Sequence, residues 1–358
     1  MINKKDLLKK LNKKIPDRWR GNPFCVDFCA ALLSMLVKYD AAFGSELIQA
    51  VDHCFEDEGT DRRTVRKEML REYVRNWMTP SEFYKYGLLK KSQEEKLSYY
   101  SAYNAFVYFK REDVNILPND KYKRYEMFSK YFHREILEIS QVEEASALIK
   151  YEEFVSRNPV FFVKSIRGAK GKGVIKCTAQ ETPDANVLIS KMGGRFIVEG
   201  LINQGQELAV FHPESVNTVR FVTAMNPTKE PIKLFALLRV GRGGSIVDNV
   251  GSGGLVAQID MESGIVCTDA LCGMDYYEYH PDTHIRFKGT KMPEWEKLCN
   301  TACEMHRSQP DQRLFGFDFA WTDNGWDLVE VNPAPAFTSF QTLSKRGIRP
   351  VLIEKKVI

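Results

Sequence analysis

The chain has 358 residues, 44% apolar and 27% charged, an ordinary globular composition with sequence enough for two or three lobes. Its net charge of +4 is too mild for a dedicated nucleic-acid binder, which would present a strongly basic face. No run reaches the roughly 18 apolar residues of a membrane span. The start, MINKKDLLKKLNKK, lacks the apolar centre of a signal peptide, so the sequence reads as cytoplasmic. Eight cysteines in so long a chain then read as small buried hydrophobes in a reducing compartment.

Residues 1 to about 112 read as helical. Leu7, Leu8, Leu11 and Ile15 recur at helical spacing with lysines between them, and Phe24 to Val37 keeps the same period as a core helix. A basic amphipathic start also suits a membrane surface, although solvated lysines on a docked helix are the plainer reading. Pro80 in MTPSEFYKYGLL starts a helix, with Thr79 or Ser81 near its cap. From about residue 159 the pattern turns to strands: PVFFVK (159–164), GVIKC (173–177), RFIVE (195–199), VRFVTA (219–224) and IKLFALLRV (232–240). GLVAQID (254–260), FGFDFAW (315–321) and WDLVEV (326–331) follow. Helices are expected at roughly 183–192 and 293–308. So few helices between strands argue for an α+β fold and against a doubly wound parallel sheet. Cys299, Cys303 and His306 share one helical face. A zinc site would need a fourth ligand and usually a close cysteine pair, so a core face is expected.

The final two strands carry the clearest local chemistry. Asn324-Gly325 is a hairpin signal. With Asp323 to Gly325 as the loop, Asp318 lies opposite Glu330 and Asn332 opposite Gly316. Side chains alternate along a strand, so Asp318, Glu330 and Asn332 share a face. Facing carboxylates repel without a cation, and two carboxylates with an amide oxygen suit Mg²⁺. Upstream, VKSIRGAKGKGV (163–174) is strand, Gly-rich turn, strand. Its glycines let backbone approach a phosphate, and Lys164 supplies a point charge; a solvated basic turn reads equally well. No Walker A pattern is present. Glu199 ends one strand, and backbone from Glu199 to Leu201 would meet an adenine edge, with Glu207 accepting from a ribose. Arg220, inside an apolar strand, needs a phosphate, a carboxylate or a core acid as partner. Asp248, Asn249, Gly253 and Gly254 form either a loop over an acceptor or a tight turn. His212, His280, His284 and His306 have no partner visible in sequence and read as surface or capping residues.

Lys164 before a Gly-rich loop, Glu199, Glu207, Arg220, Asp318 and the E-x-N of Glu330 and Asn332 together resemble the ATP-grasp superfamily. The stretches HPESVNTVRFVT, VDNVGSGGLVAQID, GTKMPEW and FGFDFAW…VEVN resemble its sugar-transfer associated group, linked to surface-polysaccharide gene clusters. The resemblance runs from about residue 78 and implies an ATP-grasp fold binding ATP with Mg²⁺, two ions. It implies Lys121 and Lys164 as phosphate-binding lysines, with Lys123 competing for the first role. Gly168, Gly171 and Gly173 become the phosphate lid, and Glu199, Gly200 and Leu201 the adenine hinge. Glu207 becomes the ribose acid, and Arg220 with Lys164 the catalytic charges. Asp318, Glu330 and Asn332 become the metal ligands. Gly200 stands where the family often has an acidic or bulky residue, which blurs the hinge.

Three parts are expected: a helical region 1–112, a first ATP-grasp part 113–198 with the lid, and a lobe 199–358 with the metal and acceptor sites. The expected activity is a carboxylate–amine ligase working through an acyl phosphate on a small-molecule or glycan-precursor acceptor. An ATP-grasp kinase is the alternative, followed by a non-catalytic scaffold. The N-terminal helices are expected to face a membrane or a glycosyltransferase, and no nucleic acid is expected.

Overall fold

The structure is a computed structural model that describes residues 6–112, 120–140, 144–166, 174–248 and 250–358. It divides into two compact units, Met1–Glu112 with Ala336–Ile358, and Asp113–Pro335.

In the first unit, three helices set the core: Pro23–Leu36, Ala41–Glu58 and Arg62–Asn76. Each starts on a side chain that accepts from orphan backbone N–H groups. Asn22 accepts from Phe24 and Cys25, Asp40 from Phe43, and Asp61 from Thr64. The next helix, Pro80–Lys85, carries a full capping box between Thr79 and Glu82, so Thr79 rather than Ser81 is the cap. Val26, Leu33, Leu47, Val51, Met69 and Val74 interlock beneath these helices. Pro23–Leu36 is only half a core helix, however. Val26, Cys29, Ala30 and Leu33 are buried, while Phe24 and Met35 are 80% and 69% exposed.

The C-terminal segment Ala336–Ile358 groups with this helical unit instead of with the lobe expected over 199–358. Fully buried Gln341 is the tie. Its Oε1 accepts from the N–H groups of Tyr100 (2.9 Å) and Ile348 (3.0 Å), and its Nε2 donates to Tyr100 O (2.8 Å). An amide this deep stays only when its groups are paired.

The second unit holds two antiparallel sheets. The smaller has the order β1-β4-β2-β3, with β1 Ile136–Ser140, β2 Val160–Ser165, β3 Val174–Thr178 and β4 Arg195–Gly200. The larger has the order β11-β10-β5-β6-β7-β8-β9. Its strands are β5 Thr218–Met225, β6 Pro231–Val240, β7 Leu255–Ile259, β8 Ala270–Cys272, β9 Asp275–Tyr277, β10 Leu314–Thr322 and β11 Gly325–Asn332. β1, β8 and β9 were not foreseen; β8 and β9, at three residues each, are too short for a period to show. The division expected at 198/199 falls inside β4.

Alternation gives each sheet one face packed on helices and a second face of mixed character. In the small sheet Phe161, Val163, Phe196 and Val198 pack with Tyr151, Phe154 and Leu188 of the helices Glu144–Arg157 and Ala185–Lys191. In the large sheet Val219, Phe221, Leu238, Phe317 and Phe319 pack with Leu298 and Met305 of the helix Trp295–Arg307.

On that helix Cys299 and His306 are buried within the core face. The His306 ring nitrogens are occupied by Thr223 Oγ1 (2.7 Å) and Gln312 O (2.8 Å), so the ring is a core group rather than a ligand. Among the described residues no group of three His, Cys, Asp or Glu side chains suits a metal. Burial pushes the His306 imidazole down to about 4. The folded value lies below the ordinary 6.5, so the neutral ring's contribution is complete above pH 6.5 and is lost as pH falls toward 4. That contribution is about 3 kcal/mol. Urea unfolding at pH 7 and pH 4.5 should show the loss, and His306→Gln should flatten that part of the slope. An unchanged slope in the variant would assign the acid sensitivity elsewhere.

Candidate functional site

The faces of the two sheets turned away from these helices line one cleft, wholly within the second unit, and mix apolar with charged side chains. From the small sheet come Ile136, Phe162, Lys164, Ile197 and Glu199; from the large sheet come Thr218, Arg239, Asp318, Val329 and Glu330. Lys121, at the first position of the helix Lys121–Met127, enters the same space, whereas Lys123 is exposed. Asp120 caps that helix by accepting from Tyr122 and Lys123 N–H, which fixes where Lys121 leaves the backbone.

The register of β10 and β11 is instructive. Asp318 does face Glu330, and Asn332 does face Gly316. Yet Thr322 pairs with Gly325, so the loop is two residues, Asp323 and Asn324. A β-bulge at Val329 restores the count, because Phe319 pairs with Leu328 and Asp318 with Glu330. A one-residue slip would flip every side chain beyond it; the bulge keeps the acids on the cleft face and Val331 in the core. Gly316 has its own reason: a Cβ there would lie 2.8 Å from Pro335 Cβ and 3.2 Å from Arg220 Cδ.

Asp318 is buried and clamped. Arg220, directly opposite on β5, donates from Nε and from Nη2 (2.7 Å). Arg239, on β6 opposite Thr218, donates from Nη1 (2.9 Å), and Asn332 Nδ2 lies at 3.4 Å. Burial alone would raise the Asp318 carboxyl; the two arginines outweigh it and hold it below its ordinary value. Arg239 also donates from Nη2 to Asp248 Oδ1 (3.0 Å), whose other oxygen accepts from Thr218 Oγ1. Burial dominates at Asp248 and raises its carboxyl.

This arrangement bears on the expected metal set. Glu330, 39% exposed, has Lys121 Nζ at 3.8 Å, and Asn332 turns its amide nitrogen toward Asp318. Among the described residues their oxygens stand open to a hard cation. Asp318 is different, because three guanidinium N–H groups already use its oxygens. The repulsion between facing carboxylates is therefore relieved by arginine and lysine in this state. Asp318 could ligate Mg²⁺ only where an arginine yields an oxygen.

The adenine side also differs from expectation. Glu199 Oε2 accepts from Lys164 Nζ (2.8 Å) and from Arg134 Nη2 (2.8 Å). Burial opposes the charge, but Lys164 and Arg134 prevail and bring the Glu199 carboxyl down to about 2. Arg134 further holds Asp327 (3.3 Å) and Leu328 O (2.7 Å). Gly200 N–H is committed to Glu135 O (2.9 Å), and the Leu201 side chain is 40% exposed. The residue after them that lines the cleft is Ile202. Glu207 lies in the short helix Gln206–Ala209 outside the lining, and its Oε2 accepts from Trp321 Nε1 (2.8 Å).

Arg220 borders the cleft through Asp318, while Arg239 lines it. Of the acceptor loop, Asp248 lines the cleft with Ile246 and Val247. Gly253 and Gly254 do not, since they lead from the turn Val250–Ser252 into β7. Gly168, Gly171, Gly173 and Asn249 lie outside the described residues. Arg134, Thr218 and Arg239 were missed by sequence reasoning. For Arg239 the signal existed: an arginine in IKLFALLRV needs a buried partner as much as Arg220 does. The histidines stay out of the cleft: His212 meets Ser215 and Gly243 O, and His280 meets Gly241 O.

The family described as sugar-transfer associated ATP-grasp matches residues 100–356. No curated protein matches the chain. Among solved structures, one is the VanG D-Ala:D-Ser ligase from Enterococcus faecalis, 14% identical over 67% of this chain and 61% of that one, TM-score 0.42. Another is the ATP-grasp ligase PsnB complexed with minimal precursor, 11% identical over 85% and 75%, TM-score 0.40. A third is the ADP complex of purK, N5-carboxyaminoimidazole ribonucleotide synthetase, 10% identical over 62% and 46%, TM-score 0.37. The chain thus spans about half of the purK protein and about three fifths of VanG.

Proposed function

The chain belongs to the sugar-transfer associated ATP-grasp family, and from that premise we propose that its cleft binds ATP and joins a carboxylate to an amine on a saccharide or amino-acid-linked precursor of surface polysaccharide. The supporting observation is the mixed lining of the cleft. Ile136, Phe162, Ile197, Ile202 and Val329 offer apolar surface for a flat base, and Lys121, Lys164 and Arg239 beside Glu330 offer charge for a polyphosphate. Among the described residues no serine, cysteine or histidine lines it.

Chemistry in such a cleft rests on positioning and charge. Lys121 and Lys164 neutralise the phosphates. Glu330 and Asn332 would hold Mg²⁺, with Asp318 if an arginine yields. The ion supplies charge neutralisation at the phosphate oxygens. The acceptor carboxylate attacks the γ-phosphorus in line, breaking its bond to the β-bridging oxygen and releasing ADP. The amine then displaces phosphate from the acyl phosphate and loses a proton. Arg220 and Arg239 stabilise the oxyanion of that second step. Burial lowers the Lys121 ammonium against the pull of Glu330, so its charge answers to what occupies the cleft.

One observation favours a kinase as second reading. Asp248 lines the cleft with a carboxyl that burial raises, and would act as base for an acceptor hydroxyl where Thr218 or Arg239 yields an oxygen. ADP release with Mg²⁺·ATP separates the two, using amino acids, uronic acids and amino sugars singly and in pairs. The ligase requires ADP and free phosphate only when acid and amine are both present. ADP with a phosphorylated acceptor and no free phosphate would replace it with the kinase.

A further inference from the structure

The helix Pro23–Leu36 leaves one face uncovered. Phe24, Phe28, Leu32 and Met35 recur at four, four and three residues, and are 80%, 59%, 48% and 69% exposed. Soluble helices put such a stripe inward, but here the opposite face is already the buried one. The helix has a single charged residue, Asp27, and Arg71 neutralises it through two bonds (2.5 and 2.9 Å).

Beside the stripe the charge is positive. Met35 and 59%-exposed Ile48 share a shallow depression whose charged members are Lys38 and Arg66. Residues 1–40 carry nine Lys and Arg against four Asp, a net +5, while the whole chain totals +4. The excess positive charge therefore sits at this end. Lys9, Lys10, Lys13 and Lys14 are all exposed, and Trp19, 37% exposed, lies between them and the stripe along the chain.

We propose that this face is a docking surface for an anionic lipid bilayer, with Phe24, Phe28, Leu32 and Met35 entering the headgroup boundary and the flanking lysines and arginines meeting lipid phosphates. Apolar insertion and basic attraction act together in interfacial helices, and an amphipathic tryptophan belongs at that depth. A second copy is a poorer occupant, because a two-fold contact would bring this positive region against itself.

The test is sedimentation of the full chain with vesicles of phosphatidylcholine, with and without about 30% phosphatidylglycerol. At least about tenfold stronger partitioning is expected with the anionic lipid, falling as salt rises from about 0.05 to 0.5 M. The double variant Phe24→Ser, Phe28→Ser should lose at least about tenfold, and Lys9→Glu with Lys13→Glu a comparable amount. These side chains are solvent-exposed, so circular dichroism should show both variants folded. Val187→Ser, an exposed apolar site in the other unit, should leave partitioning unchanged. Equal partitioning to both vesicle types, or equal loss in Val187→Ser, would overturn the proposal. So would a lipid-free dimer that Phe24→Ser, Phe28→Ser dissociates, which would assign the face to a second copy.

Discussion

Asp318→Asn should both loosen the second unit and stop ATP turnover. The carboxylate is buried beneath Arg220 and Arg239, and Arg239 is itself buried. Removing one partner from such a pair leaves a charge without its counter-charge, typically about 3–5 kcal/mol. Arg239 keeps Asp248, which softens the loss toward the lower figure. Turnover should fall at least about a hundredfold, since the two arginines lose the group that aims them. Glu330→Gln is the companion. Its side chain is 39% exposed, with Lys121 at 3.8 Å, so stability should change by less than about 1 kcal/mol while turnover still collapses. Urea unfolding and ADP release on the two variants separate scaffold from chemistry. Turnover surviving in Asp318→Asn would end its assignment to the metal site, and survival in both would end the site itself.

Glu199→Gln should be the other costly change. The carboxylate sits between Lys164 and Arg134, and Arg134 is only 5% exposed. The folded Glu199 carboxyl lies near 2, below its ordinary 4.5. Its contribution is therefore complete above pH 4.5 and is lost as pH falls toward 2. That amounts to about 3 kcal/mol at neutral pH. The variant should unfold at correspondingly lower urea at pH 7, and the gap from the parent should close toward pH 2. A constant gap across that range would mean that packing, not charge, holds Glu199 in place. Because Lys164 is tied to the same oxygen, Glu199→Gln should also change the affinity for Mg²⁺·ATP. Lys164→Met should weaken ATP binding while leaving Arg134 its partner and most of the stability.

The strands with long alternating runs, a helix start at Pro80 capped by Thr79 or Ser81, and the pairing of Asp318 with Glu330 were legible in the sequence, because each depends on residues near one another in the chain. Even there the agreement concealed a compensation: the loop is one residue shorter than expected, and the bulge at Val329 returns the missing step. Period and turn chemistry report local geometry, and a bulge leaves neither an alternation nor a glycine to mark it. The family resemblance reached further, since Lys121, Lys164, Glu199, Asp248, Asp318 and Glu330 all line one cleft.

Partnership was beyond its reach. Which cation faces Asp318, which bases hold Glu199 and where Glu207 turns depend on side chains from strands and helices 35 to 114 residues away along the chain. Buried charges settle on whichever counter-charge the fold brings within about 3 Å, and spacing along the chain does not encode that distance. So the sequence by itself determined the longer elements and the ATP-grasp family. Only the tertiary structure decided that Arg239 joins Arg220 on Asp318, that Arg134 and Lys164 share Glu199, and that one face of Pro23–Leu36 is left without a cover.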